Sequence, residues 1–368
     1  MKVIKIIGLI LLILIILILV VIVIGLLFLK LNPSVGKFPN KSEKDLFMNK
    51  TSLFHDGEFH NENEFSLMSG KGYPASPRKT PREKIKAETP ELLTDAQEED
   101  LTFTWLGHSS FLLQVGKKNI LVDPVLSEYS SPVSFAGPKR FSEIPITAGQ
   151  MPKIDVLFLS HDHYDHMDYE TIRNLKDKVG KFIVPAGIDS ILRGWGVEDD
   201  NIHVLFWWEN VEIEGICYTL TPAQHFSGRN PLKRNSTLWG GLYISNDLYN
   251  IYYTGDGGYS NVFQDVNTKL GPPNLMISEC GQYDPSWSSV HMFPEEVIQA
   301  TLDTKASWMI PVHWGTFCIC NHAWDDSIIR VTEKAKEQGI KLATPKIGQT
   351  VDFKNIGSFN ETWWKEYD

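Results

Sequence analysis

The chain opens on an unbroken apolar run, Ile6 to Leu29, bounded by Lys5 and Lys30. These 24 residues, Gly8 and Gly25 included, would make a helix about 36 Å long, enough to cross a bilayer core with some tilt. A cleaved signal peptide has a shorter apolar stretch and a small-residue cleavage site, and no such site follows. Residues 1–30 are therefore expected to form a single-pass membrane anchor. Lys2 and Lys5 precede the run, while Lys30, Lys37, Lys41 and Lys44 follow it, so basic residues do not decide its orientation.

From 31 to 100 the pattern turns polar and aperiodic, rich in Pro, Lys and Glu, as in Tyr73-Pro-Ala-Ser-Pro-Arg-Lys-Thr-Pro81. This reads as an extended arm or linker with little core of its own. At Leu101 the texture changes. Short apolar, β-branched runs at 102–106, 110–115 and 119–123 predict strands, with a turn at Gly116-Lys-Lys between the last two. Further strands are predicted at 154–160, 181–184, 203–206, 216–221, 240–245, 249–254, 274–278 and 308–312. Helices are predicted at 168–177, 187–194, 294–304 and 325–338. Strands arrive in hairpin runs with helices interspersed, which points to two sheets sandwiched between helices over 101–368. The fold class is α/β, of the α+β type.

Composition removes several alternatives. A net charge of −10, with no basic block or stripe, argues against nucleic acid as a partner. Four dispersed cysteines (Cys217, Cys280, Cys318, Cys320) are too few for a disulfide scaffold, and Cys318-Ile-Cys320 lacks the spacing of a zinc ribbon. They read as free thiols.

The chemistry concentrates in Ser160-His-Asp-His-Tyr-Asp-His166. Imidazole nitrogen and carboxylate oxygen are ligands suited to zinc and similar divalent metals. The apolar strand before this stretch would deliver His161, His163, Asp165 and His166 from a rigid end into one tight loop. Three more donors share the same strand-then-ligand grammar. His225 follows Thr219-Leu-Thr-Pro-Ala-Gln, Asp256 sits in the glycine turn after Asn250-Ile-Tyr-Tyr-Thr, and His313 ends Trp308-Met-Ile-Pro-Val.

These residues, in this order, resemble the metallo-β-lactamase superfamily, an αββα sandwich whose hydrolases mostly carry two metals. The resemblance is nearest to the branch of N-acylphosphatidylethanolamine-hydrolysing phospholipase D, and it covers about residues 100–350. Trp105-Leu-Gly-His-Ser-Ser110, Gly137-Pro-Lys-Arg-Phe141, Trp207-Trp-Glu-Asn210 and His313-Trp-Gly-Thr-Phe317 carry the branch. The resemblance implies one zinc on His161, His163 and His225, and a second on Asp165, His166 and His313, with Asp256 bridging. It also implies His291 near the substrate, although the stretch 283–293 departs from the branch.

The implied reaction is hydrolytic. Two zinc ions lower the pKa of a shared water to about 7. The hydroxide would attack phosphorus and release phosphatidic acid and N-acylethanolamine, with Asp165 and Asp256 orienting it and His291 serving the leaving group. The unrelated phospholipase D superfamily uses His-x-Lys, and no histidine here has lysine two positions on. A lactone, thioester or other carbonyl substrate would use the same ligands. The expected partners are a membrane phospholipid substrate and the membrane itself, and a homodimer is compatible with the resemblance.

Overall fold

The computed structural model describes every residue except Met1, Glu64, Leu67, Ser69 and Asp368, so the outermost residues of the expected anchor and hydrolase domain lie outside the described residues. The N-terminal run is a helix, α1 (Lys2–Leu31). Over Ile4–Leu31 its mean hydropathy is 3.9 and none of it is buried. Length and composition make it able to cross a membrane.

The arm that follows is more structured than its polarity suggests. Asn40 caps α2 (Lys41–Lys50) in a reciprocal box with Glu43. A small hairpin of β1 (Phe54–His55) and β2 (Glu58–Phe59) comes next. By sequence alone, residues 31–100 carry little core of their own. In the structure Val35, Phe47, Phe54, Phe59 and Ile85 are all buried. Widely spaced apolar residues, invisible to a window average, act as pegs in the surface of the body.

The first sheet begins with β3 (Leu101–Gly107), β4 (Ser110–Val115) and β5 (Lys118–Val122), antiparallel and joined by tight turns. It continues in parallel through β6 (Ile154–Phe158), helix α3 (Tyr169–Leu175), β7 (Val179–Pro185), helix α4 (Ile188–Gly194) and β8 (Ile202–Leu205). The second sheet takes β9 (Asn210–Ile213), β10 (Ile216–Thr221), β11 (Gly241–Ser245) and β12 (Asn250–Tyr253) as an antiparallel meander. After α5 (Val262–Leu270) it adds β13 (Leu275–Glu279), and after α6 (Pro294–Thr304) it adds β14 (Trp308–Val312), both in parallel. Beyond α7 (Asp326–Gln338), the short β15 (Thr350–Asp352) returns to the first sheet and pairs with β3.

Strand alternation explains why the first sheet is buried on both faces. Phe111, Leu113, Val122, Val156 and Phe158 face the second sheet, against Tyr218, Leu220 and Leu242. Leu112, Leu121, Leu157 and Phe182 point the other way, under Ile172 of α3 and Ile188 and Ile191 of α4. Val266, Val297, Ile298, Ile328 and Val331 bring α5, α6 and α7 onto the second sheet. The result is the expected αββα sandwich. Trp363 and Trp364 are buried beside Trp314, with ring centroids 5.2 and 5.8 Å away. All four thiols are free.

Candidate metal centre

The site forms at one end of the sandwich, past the carboxyl ends of the parallel strands, where open α/β sheets gather ligands. Leu159-Ser160 leave β6, and the loop then turns tightly as the amides of His166 and Met167 bond to the His163 carbonyl at 3.1 and 2.9 Å. Asp168 ends the loop by capping α3, accepting from the Thr171 amide at 3.1 Å. His225 follows β10, Asp256 follows β12 and His313 follows β14. Two backbone bonds close the end: Gly240 N to Ser160 O at 3.0 Å and His313 N to His108 O at 3.0 Å.

All seven residues predicted as ligands converge. His161 Nε2 lies 2.9 Å from His163 Nδ1, which lies 3.3 Å from His225 Nε2. Beside this trio, His166 Nε2 is 3.0 Å and His313 Nε2 3.3 Å from Asp256 Oδ2, and Asp165 Oδ2 is 3.7 Å from His166 Nε2. Asp256 Oδ2 is also 3.8 Å from His161 Nε2, so it stands between the two groups.

Outward-facing ring nitrogens are mostly committed elsewhere. His161 Nδ1 contacts Ser160 Oγ at 2.9 Å, His166 Nδ1 contacts Asp123 Oδ2 at 2.8 Å, His225 Nδ1 donates to Val290 O at 3.0 Å, and His313 Nδ1 contacts Ser109 Oγ at 2.9 Å. Such outer bonds fix the tautomer and aim Nε2 inward. The buried His166 Nε2, His313 Nε2 and Asp256 Oδ1 make no hydrogen bond. Burial holds His161, His225 and His313 well below the usual imidazole range, with neighbouring histidines adding to it at His161 and His225. Unpartnered inward lone pairs facing a shared carboxylate are the donor set a divalent cation takes, so these residues fit a bound metal.

Backbone strain accompanies the geometry. His108, Asp123 and His313 have φ of 52°, 41° and 67°, a left-handed region that is costly for residues with a Cβ. Gly281 passes so close to His313 that a Cβ would lie 1.8 Å from the His313 carbonyl oxygen.

His291 reaches the site as well. Its ring stacks on His313 at 5.4 Å and lies 5.2 Å from His225. Its Nδ1 is 3.6 Å from Glu279 Oε2. Burial disfavours the charged imidazole, but Glu279 outweighs it and raises the His291 pKa. Burial in turn raises the Glu279 pKa.

Sequence reasoning missed the outer residues. His108 Nε2 is 3.0 Å from Asp165 Oδ2. Asp123 gathers four donors, and Glu279 backs His291. Asp123 after Ile120-Leu-Val and Glu279 after Leu275-Met-Ile-Ser obey the same strand-then-acid grammar that picked out Asp256. His108 lies inside the Trp105–Ser110 motif.

The centre opens into a cavity of about 360 Å³. Phe226, Trp287, Val290 and Ile319 give it apolar walls, and Arg234 is a cation on its lining. The Arg234 guanidinium lies 4.6 Å from the Phe226 ring centre.

The chain is similar to known proteins. The beta-lactamase superfamily domain profile matches residues 118–314. An uncharacterized protein of Mycobacterium tuberculosis is 37% identical over 269 residues, 72% of each chain. N-acyl-phosphatidylethanolamine-hydrolyzing phospholipase D 1 of Caenorhabditis elegans is 34% identical over 233 residues, which is 60% of this chain and 65% of that one. A solved metallo hydrolase of Ignicoccus hospitalis superposes with a TM-score of 0.53 at 21% identity, covering 69% of this chain and 98% of its own. Matching profile, relative and fold agree with the cluster of His and Asp donors: the chain belongs to the beta-lactamase superfamily of metal-dependent hydrolases.

Proposed function

We propose that the protein is a membrane-anchored, dinuclear zinc phosphodiesterase that cleaves N-acylphosphatidylethanolamine-type lipids to phosphatidic acid and N-acylethanolamine. The observation that carries this reading is a two-part His and Asp centre opening into an apolar cavity lined by one arginine, in a chain that begins with a bilayer-length apolar helix. The likeness to the nematode phospholipase adds support for the substrate class.

His161, His163 and His225 would hold one ion, and Asp165, His166 and His313 the other, with Asp256 between them. When bound, the ions supply Lewis acidity and bring the pKa of an adjacent water toward about 7. The protein's own groups do the rest. Asp165 and Asp256 accept hydrogen bonds from the attacking water and align it on phosphorus. Arg234 offers the phosphoryl oxygens a cation. The apolar walls take acyl chain and keep bulk water out. Glu279 holds the His291 Nδ1 side, which leaves Nε2 as the atom that delivers a proton to the departing alkoxide oxygen.

The test is a substrate panel on the full-length protein in mixed micelles, loaded with zinc and checked for metal content. N-acylphosphatidylethanolamine, plain phosphatidylethanolamine and sugar lactones are compared, with Asp256→Ala as control. Turnover of the N-acylated lipid, lost in the variant, is expected. Efficient lactone cleavage beside untouched lipids would overturn the assignment, as would full activity in Asp256→Ala.

A further inference from the structure

The residues just past α1 are fastened to the two loops that frame the cavity. Asn32 Nδ2 donates to Pro132 O at 3.0 Å, and Arg229 Nε donates to Ser34 O at 2.7 Å. Trp195 Nε1 adds a bond to Pro33 O at 2.8 Å. The Pro132 loop runs between Ser130 and Pro138, which both line the cavity, and the Arg229 loop leads to Arg234, which lines it too. Arg229 is itself buried. Its Nη1 donates to Asp162 O at 3.0 Å and Met167 O at 2.6 Å, inside the loop that carries His161, His163, Asp165 and His166. Helix end, cavity rim and metal loop are thus one hydrogen-bonded unit.

Each of these loops lifts a large apolar side chain into solvent. Phe135, three residues from Pro132, is 79% exposed, and Leu232, three residues from Arg229, is 64% exposed. Met68 (67%) and Ile319 (42%) are exposed on the cavity lining. Three residues of chain span at most about 11 Å. The backbone of Phe135 therefore lies within about that distance of the Asn32 bond, and that of Leu232 within the same reach plus the length of the Arg229 side chain from the Ser34 bond, both made by residues that immediately follow the bilayer-length helix. Lys233 and Arg234 directly follow Leu232, an apolar-plus-basic pairing that suits a headgroup layer.

We infer that the rim carrying Phe135 and Leu232 is a membrane-docking surface, seated on the leaflet from which α1 emerges, so that the cavity opens onto the bilayer that anchors the chain. Substrate then enters sideways from that leaflet, and lipid of any other membrane is out of reach. This rests on reading α1 as the membrane anchor, and it commits to the chain's own bilayer as the occupant.

The test uses the full chain reconstituted in phosphatidylcholine–phosphatidylglycerol vesicles. Cysteine is introduced as Phe135→Cys, Leu232→Cys or, for comparison, Leu248→Cys, and carries an NBD fluorophore. Leu248 is 52% exposed in the β11–β12 turn, at the sheet end away from the metal centre. Identically treated wild type supplies the background from native thiols. Nitroxide-bearing lipids are expected to quench the label at 135 and 232 at least twofold more than at 248. Equal quenching at all three positions, in chain that resists alkaline carbonate, overturns the docking surface and leaves the anchor standing. Chain released by carbonate overturns the anchor, and the inference with it.

Discussion

Replacing Asp123 by asparagine probes the centre without touching a proposed ligand. The Asp123 carboxylate is fully buried and accepts from the Ser160 amide at 2.7 Å through Oδ1. Its Oδ2 accepts from Ser160 Oγ at 2.5 Å, His166 Nδ1 at 2.8 Å and Tyr253 OH at 2.7 Å. An asparagine with its NH₂ at the Oδ2 position puts a donor in front of three donors. The hydroxyls of Ser160 and Tyr253 can turn and accept. The imidazole can accept only by giving up its Nδ1 proton. A neutral ring must then carry the proton on Nε2, the atom 3.0 Å from Asp256 Oδ2. That step removes the inward lone pair. The flipped amide restores the His166 bond but faces the Ser160 N–H with another donor, at a cost of about 1–3 kcal/mol. Either way the group built on Asp165, His166 and His313 weakens, while the trio of His161, His163 and His225 keeps its geometry. Outer partners of metal ligands are worth about 10–100-fold in affinity, or about 1.4–2.8 kcal/mol. Competition with a chromophoric chelator should show one zinc held as in wild type and the second weakened by that factor. Two sites of unchanged affinity in Asp123→Asn would refute the tautomer argument.

Three further substitutions test separate parts of the structure. Gly281→Ala drives a methyl into the His313 carbonyl, backbone against backbone, so we expect about 1–3 kcal/mol of lost stability in thermal unfolding together with reduced zinc content. Glu279→Gln keeps a partner for the Met292 amide, which Oε1 accepts at 2.8 Å, but removes the charge beside His291; kcat should fall by about tenfold or more with metal content unchanged, and loss of zinc instead would make Glu279 structural. Glu43 ties the arm to α4 through Ser190 Oγ at 2.7 Å and through Arg193. Burial opposes the charge on Glu43, but the Asn40 amide, Ser190 and Arg193 outweigh it and hold its pKa below the usual 4.5. Its contribution is therefore present above pH 4.5 and disappears as pH falls through the depressed folded value. Glu43→Gln should cost less than about 1 kcal/mol of stability at pH 7, seen as a slight fall in Tm, because the pair is partly exposed. It should also show a shallower loss between pH 5 and 3 than wild type does.

Much of the fold could be read from residue order because its signals are local. Strands such as Ser110–Val115 and Trp308–Val312 are apolar runs with sharp polar ends, and the seven converging donors sit between one and eight residues past such a run. Elements stabilised from a distance were harder to see. Asn210–Ile213 and Thr350–Asp352 are short edge strands with polar residues at alternate positions. Val262–Leu270 is a two-turn helix with mixed composition, held by Val262, Phe263 and Val266 against the second sheet. The arm's pegs, Val35, Phe47, Phe54, Phe59 and Ile85, stand 12, 7, 5 and 26 residues apart, too irregular for any periodicity. Site chemistry followed the same division. The inner donors are metal-ligand types clustered along the chain, whereas the partners that aim them, Asp123 for His166 and Glu279 for His291, meet them across tertiary distance.

The return of Thr350–Asp352 to pair with Leu101–Gly107 has a bearing on biosynthesis. The opening strand of the first sheet is finished by residues about 246 positions later, as Thr104 opposite Thr350 shows. Contacts so far apart in sequence form slowly. Until Thr350–Asp352 is synthesised the β3 edge it covers stays unpaired, and Trp363 and Trp364, made later still, cannot yet close on the Trp314 cluster. An open strand edge is a template for wrong pairing. Truncation after residue 340 should therefore yield aggregation-prone chains rather than weak enzymes, and chaperone demand should peak while the β3 edge is open.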